Sequence, residues 1–135
     1  MARQITYEMC KKMSDYVLEK GFKANRPLAV VITDDAGNIV YANIMDGFHV
    51  RGISFAYHKA YTAAKMTRTG REFKELCQRD NIDVNVFCDP KMTTLIGSSP
   101  VRNANGEAIG AIGVSGWTSD EDQQLCDEAV KLILE

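Results

Sequence analysis

Long apolar runs, a surplus of charge of either sign, paired cysteines and histidines are all scarce in this chain, and each scarcity excludes something. No apolar stretch approaches the ~20 residues that a membrane-spanning helix needs. Sixteen basic and eighteen acidic residues leave a net charge of -2, so no basic footprint for nucleic acid or an anionic membrane surface is present. The opening Met1-Ala-Arg-Gln-Ile-Thr-Tyr-Glu8 lacks the apolar segment of a secretory signal, and a cytoplasmic location is the expectation. Cys10, Cys77, Cys88 and Cys126 include no Cys-x-x-Cys pair, so they read as small core residues rather than a disulfide framework or a zinc knuckle. The spacing of Cys77 and Cys88 permits a redox pair, although such a spacing usually carries no meaning. Only His49 and His58 are available as imidazoles, and no Gly-x-Ser-x-Gly elbow occurs. A hydrolytic triad on Ser98, Ser99 or Ser115 is therefore hard to build, and no metal site is expected.

What is present suffices for a folded core. At 135 residues with 45% apolar content the chain reads as one domain, 1–135, that needs neither disulfide nor metal. Met9, Met13, Tyr16 and Val17 follow a helical period after a Thr6 cap, which predicts a helix over 6–23. The run 28–33, the turn residues 34–38 and the run 39–45 predict a hairpin. A helix is expected over 53–67, with Ile53, Ala56, Tyr57, Ala60, Ala63, Ala64 and Thr67 on one close-packing face. Phe55 and Met66 form a second apolar face beside Lys59 and Thr62, which suggests a subunit interface or a ligand cavity. Thr69-x-x-Glu72 predicts a capped short helix. Residues 78–92 read as a lid or partner surface. A third strand is expected over 92–103, broken around 97–100, followed by a turn and a strand over 108–115. A final helix is capped by Thr118-x-x-Glu121. Hairpins alternating with helices predict an α+β fold built on an antiparallel sheet flanked by helices.

The segment Gly106-Glu-Ala-Ile-Gly-Ala-Ile-Gly-Val-Ser-Gly116 is the most informative of these elements. Glycine inside an apolar strand marks a bulge or the close approach of another backbone or ligand. Gly110 and Gly113 are three apart, so they face opposite ways and both faces are tightly approached. Beyond the strand, Ser115 to Thr118 lead into a helix N-terminus that favours an anion. The alternative, which weighs more, is that Thr118 and the acidic first turn already satisfy that end. No lysine follows the glycines and the dinucleotide fingerprint is absent, so nucleotide binding is unsupported. Asp46, beside Gly47, is either a turn residue or a site carboxylate at a cleft rim. His49 lies in a loop, solvated or ligating a metal or haem iron. His58 points away from the alanine face, and Lys59 either meets an acidic ligand group or snorkels.

Taken together, Met45-Asp46-Gly47, Ile53-Ser54 with Lys59-Ala60-Tyr61-Thr62-Ala63, Gly97-Ser-Ser-Pro100 and the Gly106–Gly116 run with Asp122 stand in the order and spacing of a known family. The chain resembles the GlcG/HbpS family, which includes the C-terminal domain of PduO-type corrinoid adenosyltransferases and the OrfY-like proteins of glycerol and diol utilisation. The likeness runs over roughly residues 5 to 134. It implies a profilin-like fold, a homo-oligomer, and haem binding or a role beside cobalamin-dependent diol, glycerol or glycolate-type metabolism. By carry-over Asp46, Lys59, Gly97, Ser98, Ser99, Pro100, Gly113, Ser115 and Gly116 surround the ligand cleft. Two positions depart from the pattern. Ser98 stands where the family commonly has a second glycine, and the early haem-liganding histidine of some members has no match. His49, His58, Cys10 or a methionine remain as iron ligands.

These readings rank a small-ligand binding protein first, with a haem or corrinoid tetrapyrrole as the leading ligand and no nucleic-acid or membrane partner. A ligand-free accessory subunit comes second. An enzyme on a small organic acid or aldehyde, using Asp46, Lys59 and the glycine-strand amides, comes third.

Overall fold

The computed structural model of the protein describes residues 3–134. Thr6 opens α1 (Tyr7–Ala24) by accepting from the Met9 N–H at 3.2 Å, and Asn25 closes it in the left-handed conformation. The hairpin of β1 (Ala29–Asp34) and β2 (Ile39–Ile44) turns on Asp34, whose Oδ1 accepts from the Ala36 and Asn38 N–H groups. Helix α2 (Gly52–Met66) follows. Helix α3 (Gly70–Arg79) begins with the expected capping box of Thr69 and Glu72. A short 3-10 turn (Val84–Phe87) leads on to β3 (Ser98–Arg102), β4 (Ala108–Ser115) and α4 (Ser119–Leu134).

The four strands form one antiparallel sheet in the order β2-β1-β4-β3. Alternate residues of the inner strands supply two cores. Val30, Ile32, Ile112 and Val114 pack with Met13, Val17, Leu125 and Cys126 of α1 and α4 on one face. Ala29 and Val31 meet Ala56 and Ala60 of α2 on the other. This is the α+β arrangement expected from the element order.

The glycine strand is buried on both faces, as its composition suggested. What approaches it is the protein itself. A Cβ on Gly113 would overlap the Ala56 carbonyl oxygen and stand 2.7 Å from the Ala60 nitrogen. On the opposite face, a Cβ on Gly110 would overlap the Thr33 carbonyl oxygen. Small residues on α2 and Gly113 together let helix and strand backbones touch.

One expectation needs correction, and two others take a more definite form. Residues 92–97 are not strand. Thr93 N–H donates to Thr62 Oγ1 and Gly97 N–H to Gln123 Oε1, so these amides go to side chains and β3 starts only at Ser98. The second apolar face of α2 is divided rather than open: Met66 packs on Phe73 and Cys77 of the α3 region, and only Phe55 stays exposed. Residues 78–92 are fastened to the body, because Ile82 and Val84 join that same cluster and Tyr61 Oη donates to Asp89 at 2.6 Å.

Candidate functional site

The strand registers bring most of the candidate residues to one end of the sheet. Asp46 follows the end of β2, Ser115 and Gly116 close β4, and Gly97 and Ser98 open β3. They do not share one cavity there.

At the centre of this end lies a buried polar knot. The Lys59 Nζ donates to the Val114 carbonyl at 2.9 Å and to Asp122 Oδ2 at 3.3 Å. Both side chains are almost wholly buried. Val114 O is free for this because the β3–β4 ladder stops at Gly97, whose own N–H turns to Gln123. Gly97 adopts φ +134°, and a Cβ there would stand 2.9 Å from Asp122 Cβ and 3.1 Å from Lys59 Nζ. Only glycine combines that backbone conformation with that approach. Lys59 therefore neither snorkels nor meets solvent. Burial raises the Asp122 carboxyl, outweighing the neighbouring Lys59 charge and the Trp117 N–H bond that lower it. Burial likewise pushes the Cys126 thiol far up, and its Sγ lies 3.3 Å from the Gly97 carbonyl.

The start of α4 is satisfied from within. Thr118 and Glu121 bond reciprocally, the Trp117 N–H donates to Asp122 Oδ1 at 3.1 Å, and Arg26 holds Glu121 with two bonds of 2.8 and 2.9 Å. That guanidinium and the Thr118 bonds pull the Glu121 carboxyl down to about 2. The geometry thus sides with a capped helix end over an anion cradle. Ser115 is buried beside it, and a Cβ on Gly116 would meet the Pro27 carbonyl and Leu28.

Asp46 is exposed on the rim of a groove of about 390 Å³ that is also lined by Gly21, Phe22, Pro27, Ile44 and Met45. Ser99 and Pro100 instead border a second groove of about 480 Å³ with Asp127, Arg102 and Lys131. Ser98 faces neither groove; its hydroxyl is buried without a partner close to Gly70. Asp46 and Lys59 thus have separate surroundings. The Lys59 ammonium is already held by protein groups.

Of the two histidines, His49 is exposed in the loop between β2 and α2. Its ring lies 4.4 Å from that of Phe48 and 6.4 Å from that of Phe55. His58 is half-buried on the outer side of α2, 5.7 Å from the Tyr57 ring. Cys10 is deep in the core, with its thiol pushed up to about 11 by burial, far from a thiolate ligand. All four cysteines are free, and among the described residues no cluster of three or more His, Cys, Asp or Glu is placed to hold a metal ion. No described helix is long and apolar enough to cross a membrane.

Sequence reasoning missed two roles at this end. Asp122 was noted in the acidic turn and in the family pattern but not as the partner of Lys59, and Gln123 carried no signal beyond its spacing of four from Asp127. Inward-facing polar side chains on an amphipathic helix are the clue that both give.

Residues 5–131 match the family described as "Haem degrading protein HbpS-like", and the chain belongs to that family. It is 30% identical over 128 residues to the uncharacterized 15.0 kDa protein in the dhaT–dhaS intergenic region of Citrobacter freundii, covering 93% of this chain and 89% of that one. A double mutant of Streptomyces reticuli HbpS superposes with a TM-score of 0.86 at 25% identity, over 98% of this chain and 89% of the other. A PduOC:heme complex superposes at 0.84 with 20% identity, over 96% and 94% of the two chains.

Proposed function

We propose that this chain is a cytoplasmic, single-domain, homo-oligomeric protein that binds a tetrapyrrole, with haem as the first ligand to consider. The observation that carries the reading is membership of the HbpS-like family across residues 5–131. The fold shared with a PduOC:heme complex supports it at the level of architecture. An accessory role beside diol, glycerol or glycolate-type metabolism draws on the family resemblance and on the Citrobacter freundii relative.

His49 is the residue through which this chain would hold haem. Its imidazole is exposed, accepts and donates no hydrogen bond among the described residues, and is flanked by Phe48 and Phe55. Such a nitrogen donor would ligate the haem iron, and the neighbouring aromatic rings would pack against its apolar macrocycle. Bound haem would supply a redox-active iron; the chain supplies the ligating nitrogen and the aromatic flank. His58, half-buried against Tyr57, is the second donor to test. The groove that Asp46 borders is the further place where a polar side chain meets apolar lining at this end of the sheet.

Native mass spectrometry of the protein incubated with haemin tests this reading, because it reports bound ligand and assembly together. The expected spectrum carries one haem increment per chain on an oligomer. A spectrum of bare chains contradicts the reading.

A further inference from the structure

The two edges of the sheet are finished differently. In β3 the even-numbered residues face away from β4, since Val114 N–H bonds Gly97 O and the register then pairs Ser99 with Ile112 and Val101 with Gly110. Both outward groups of Ser98 are taken by the Gln123 side-chain amide: its Nε2 donates to Ser98 O at 2.8 Å and its Oε1 accepts from Ser98 N–H at 3.3 Å. Pro100, the next outward residue, has no N–H to offer. That edge is closed to another strand.

The β2 edge has no such cover. Met45 N–H bonds Leu28 O, so the ladder to β1 uses Asn43 and Tyr41, and the N–H and C=O groups of Ala42 and Ile44 point outward. No hydrogen bond among the described residues engages these four groups, and both residues are exposed. The strand Ile39-Val-Tyr-Ala-Asn-Ile44 also carries no charge, proline or glycine, the usual means of blunting an edge.

We infer that β2 is a self-association edge, pairing antiparallel with β2 of a second copy of this chain to join two four-stranded sheets. This inference rests on the proposed self-association and assigns its interface. The register follows from the free groups. The bulge at Ile32/Thr33 disrupts regular pairing before Tyr41, leaving Ala42 and Ile44 as the regular donors and acceptors. They satisfy one another completely when Ala42 lies opposite Ile44 of the partner subunit, with the two-fold axis beside Asn43.

A second copy fits better than a detached peptide for two reasons. The uncharged strand meets no like charge when it faces itself, and the two-fold repeats the Ala42–Ile44 apolar contact. Area gives the other reason. A six-residue edge about 20 Å long and 10 Å deep offers roughly 200 Å², against roughly 800 Å² per partner in a stable interface. The remainder must come from the flanks, where Phe22 is 68% exposed and borders the same groove as Ile44, and Ile39 is 51% exposed. A folded copy covers such flanks, whereas a lone strand leaves them in water.

Sedimentation velocity on the full chain, with circular dichroism as a check of fold, tests the edge. Ala42→Pro removes only an outward N–H, and Ile44→Lys places a charge on the pairing line. Both are expected to reduce the particle mass by at least half while the fold persists. Asn43→Cys in a Cys88→Ser background should give a disulfide-linked dimer on mild oxidation. Opposed Cα atoms in such a pair lie about 4.5 Å apart, within disulfide reach. A monomeric wild type would overturn both the edge and the self-association. An unchanged oligomer in folded Ala42→Pro and Ile44→Lys, with no cross-link, would overturn the edge alone.

Discussion

Gln123 stands in for a fifth strand beside Ser98, donating to its carbonyl and accepting from its N–H as a neighbouring backbone would. The same amide oxygen takes the Gly97 N–H, and its nitrogen also reaches Ser99 Oγ and Asp127. Gln123→Ala would leave three buried backbone groups without partners. It is expected to lower unfolding free energy by about 3 kcal/mol, read as a reduced urea midpoint with an unchanged slope. A loss below about 0.5 kcal/mol, the range of an ordinary surface change, would show that the amide is dispensable.

Lys59 and Asp122 should behave as a unit. Removing the lysine in Lys59→Met strands a buried carboxylate, a change of about 3–5 kcal/mol at neutral pH. Asp122 is already raised by burial, and losing Lys59 raises it further. A raised carboxyl binds its proton more readily folded than unfolded, so its unfavourable effect grows as pH increases. The stability gap between wild type and Lys59→Met should therefore narrow as the solution is acidified. The double variant Lys59→Met/Asp122→Asn should lose less than the sum of the two singles; additive losses would show that the two groups act independently.

Glu121 predicts the opposite pH trend. Its carboxyl is lowered from the usual 4.5 to about 2, chiefly by Arg26. A lowered carboxyl stabilises the fold above its unfolded value, and that contribution disappears as pH falls through the folded one. Glu121→Gln should melt below the wild type at pH 7, with the two melting temperatures converging between pH 4.5 and 2. A gap that stays constant over that range would place the stabilisation elsewhere.

Much of this architecture was legible because it depends on local chemistry. The Thr6 and Thr69 caps, the Asp34 turn and the alanine face of α2 each carry their signal within a few residues, and the helices fell within a residue or two of expectation. Gly110 and Gly113 announced close approach on both faces, and the structure supplies it. What approaches Gly113 is the backbone of α2, and nothing local distinguishes a helix from a ligand. The knot at Lys59 was illegible for the same reason. Its partner is sixty-three positions away on α4, and a lysine near an apolar helix face reads as snorkelling until the opposite carboxylate is placed. Residues 92–97 looked like strand because their apolar content is strand-like; their amides go to Thr62 and Gln123, which lie far off in sequence. Most of the candidate site residues gather at one end of the sheet, and their separation into two grooves and a buried knot is purely tertiary.

In the proposed function His49 and its aromatic flank hold a tetrapyrrole. Spectrophotometric titration of the purified protein with haemin, comparing wild type, His49→Ala and His58→Ala, is the deciding experiment. The expected result is a shifted Soret band that saturates at one haem per chain, with affinity weakened at least tenfold by His49→Ala. Substoichiometric, unsaturable uptake, identical in all three proteins, would contradict it.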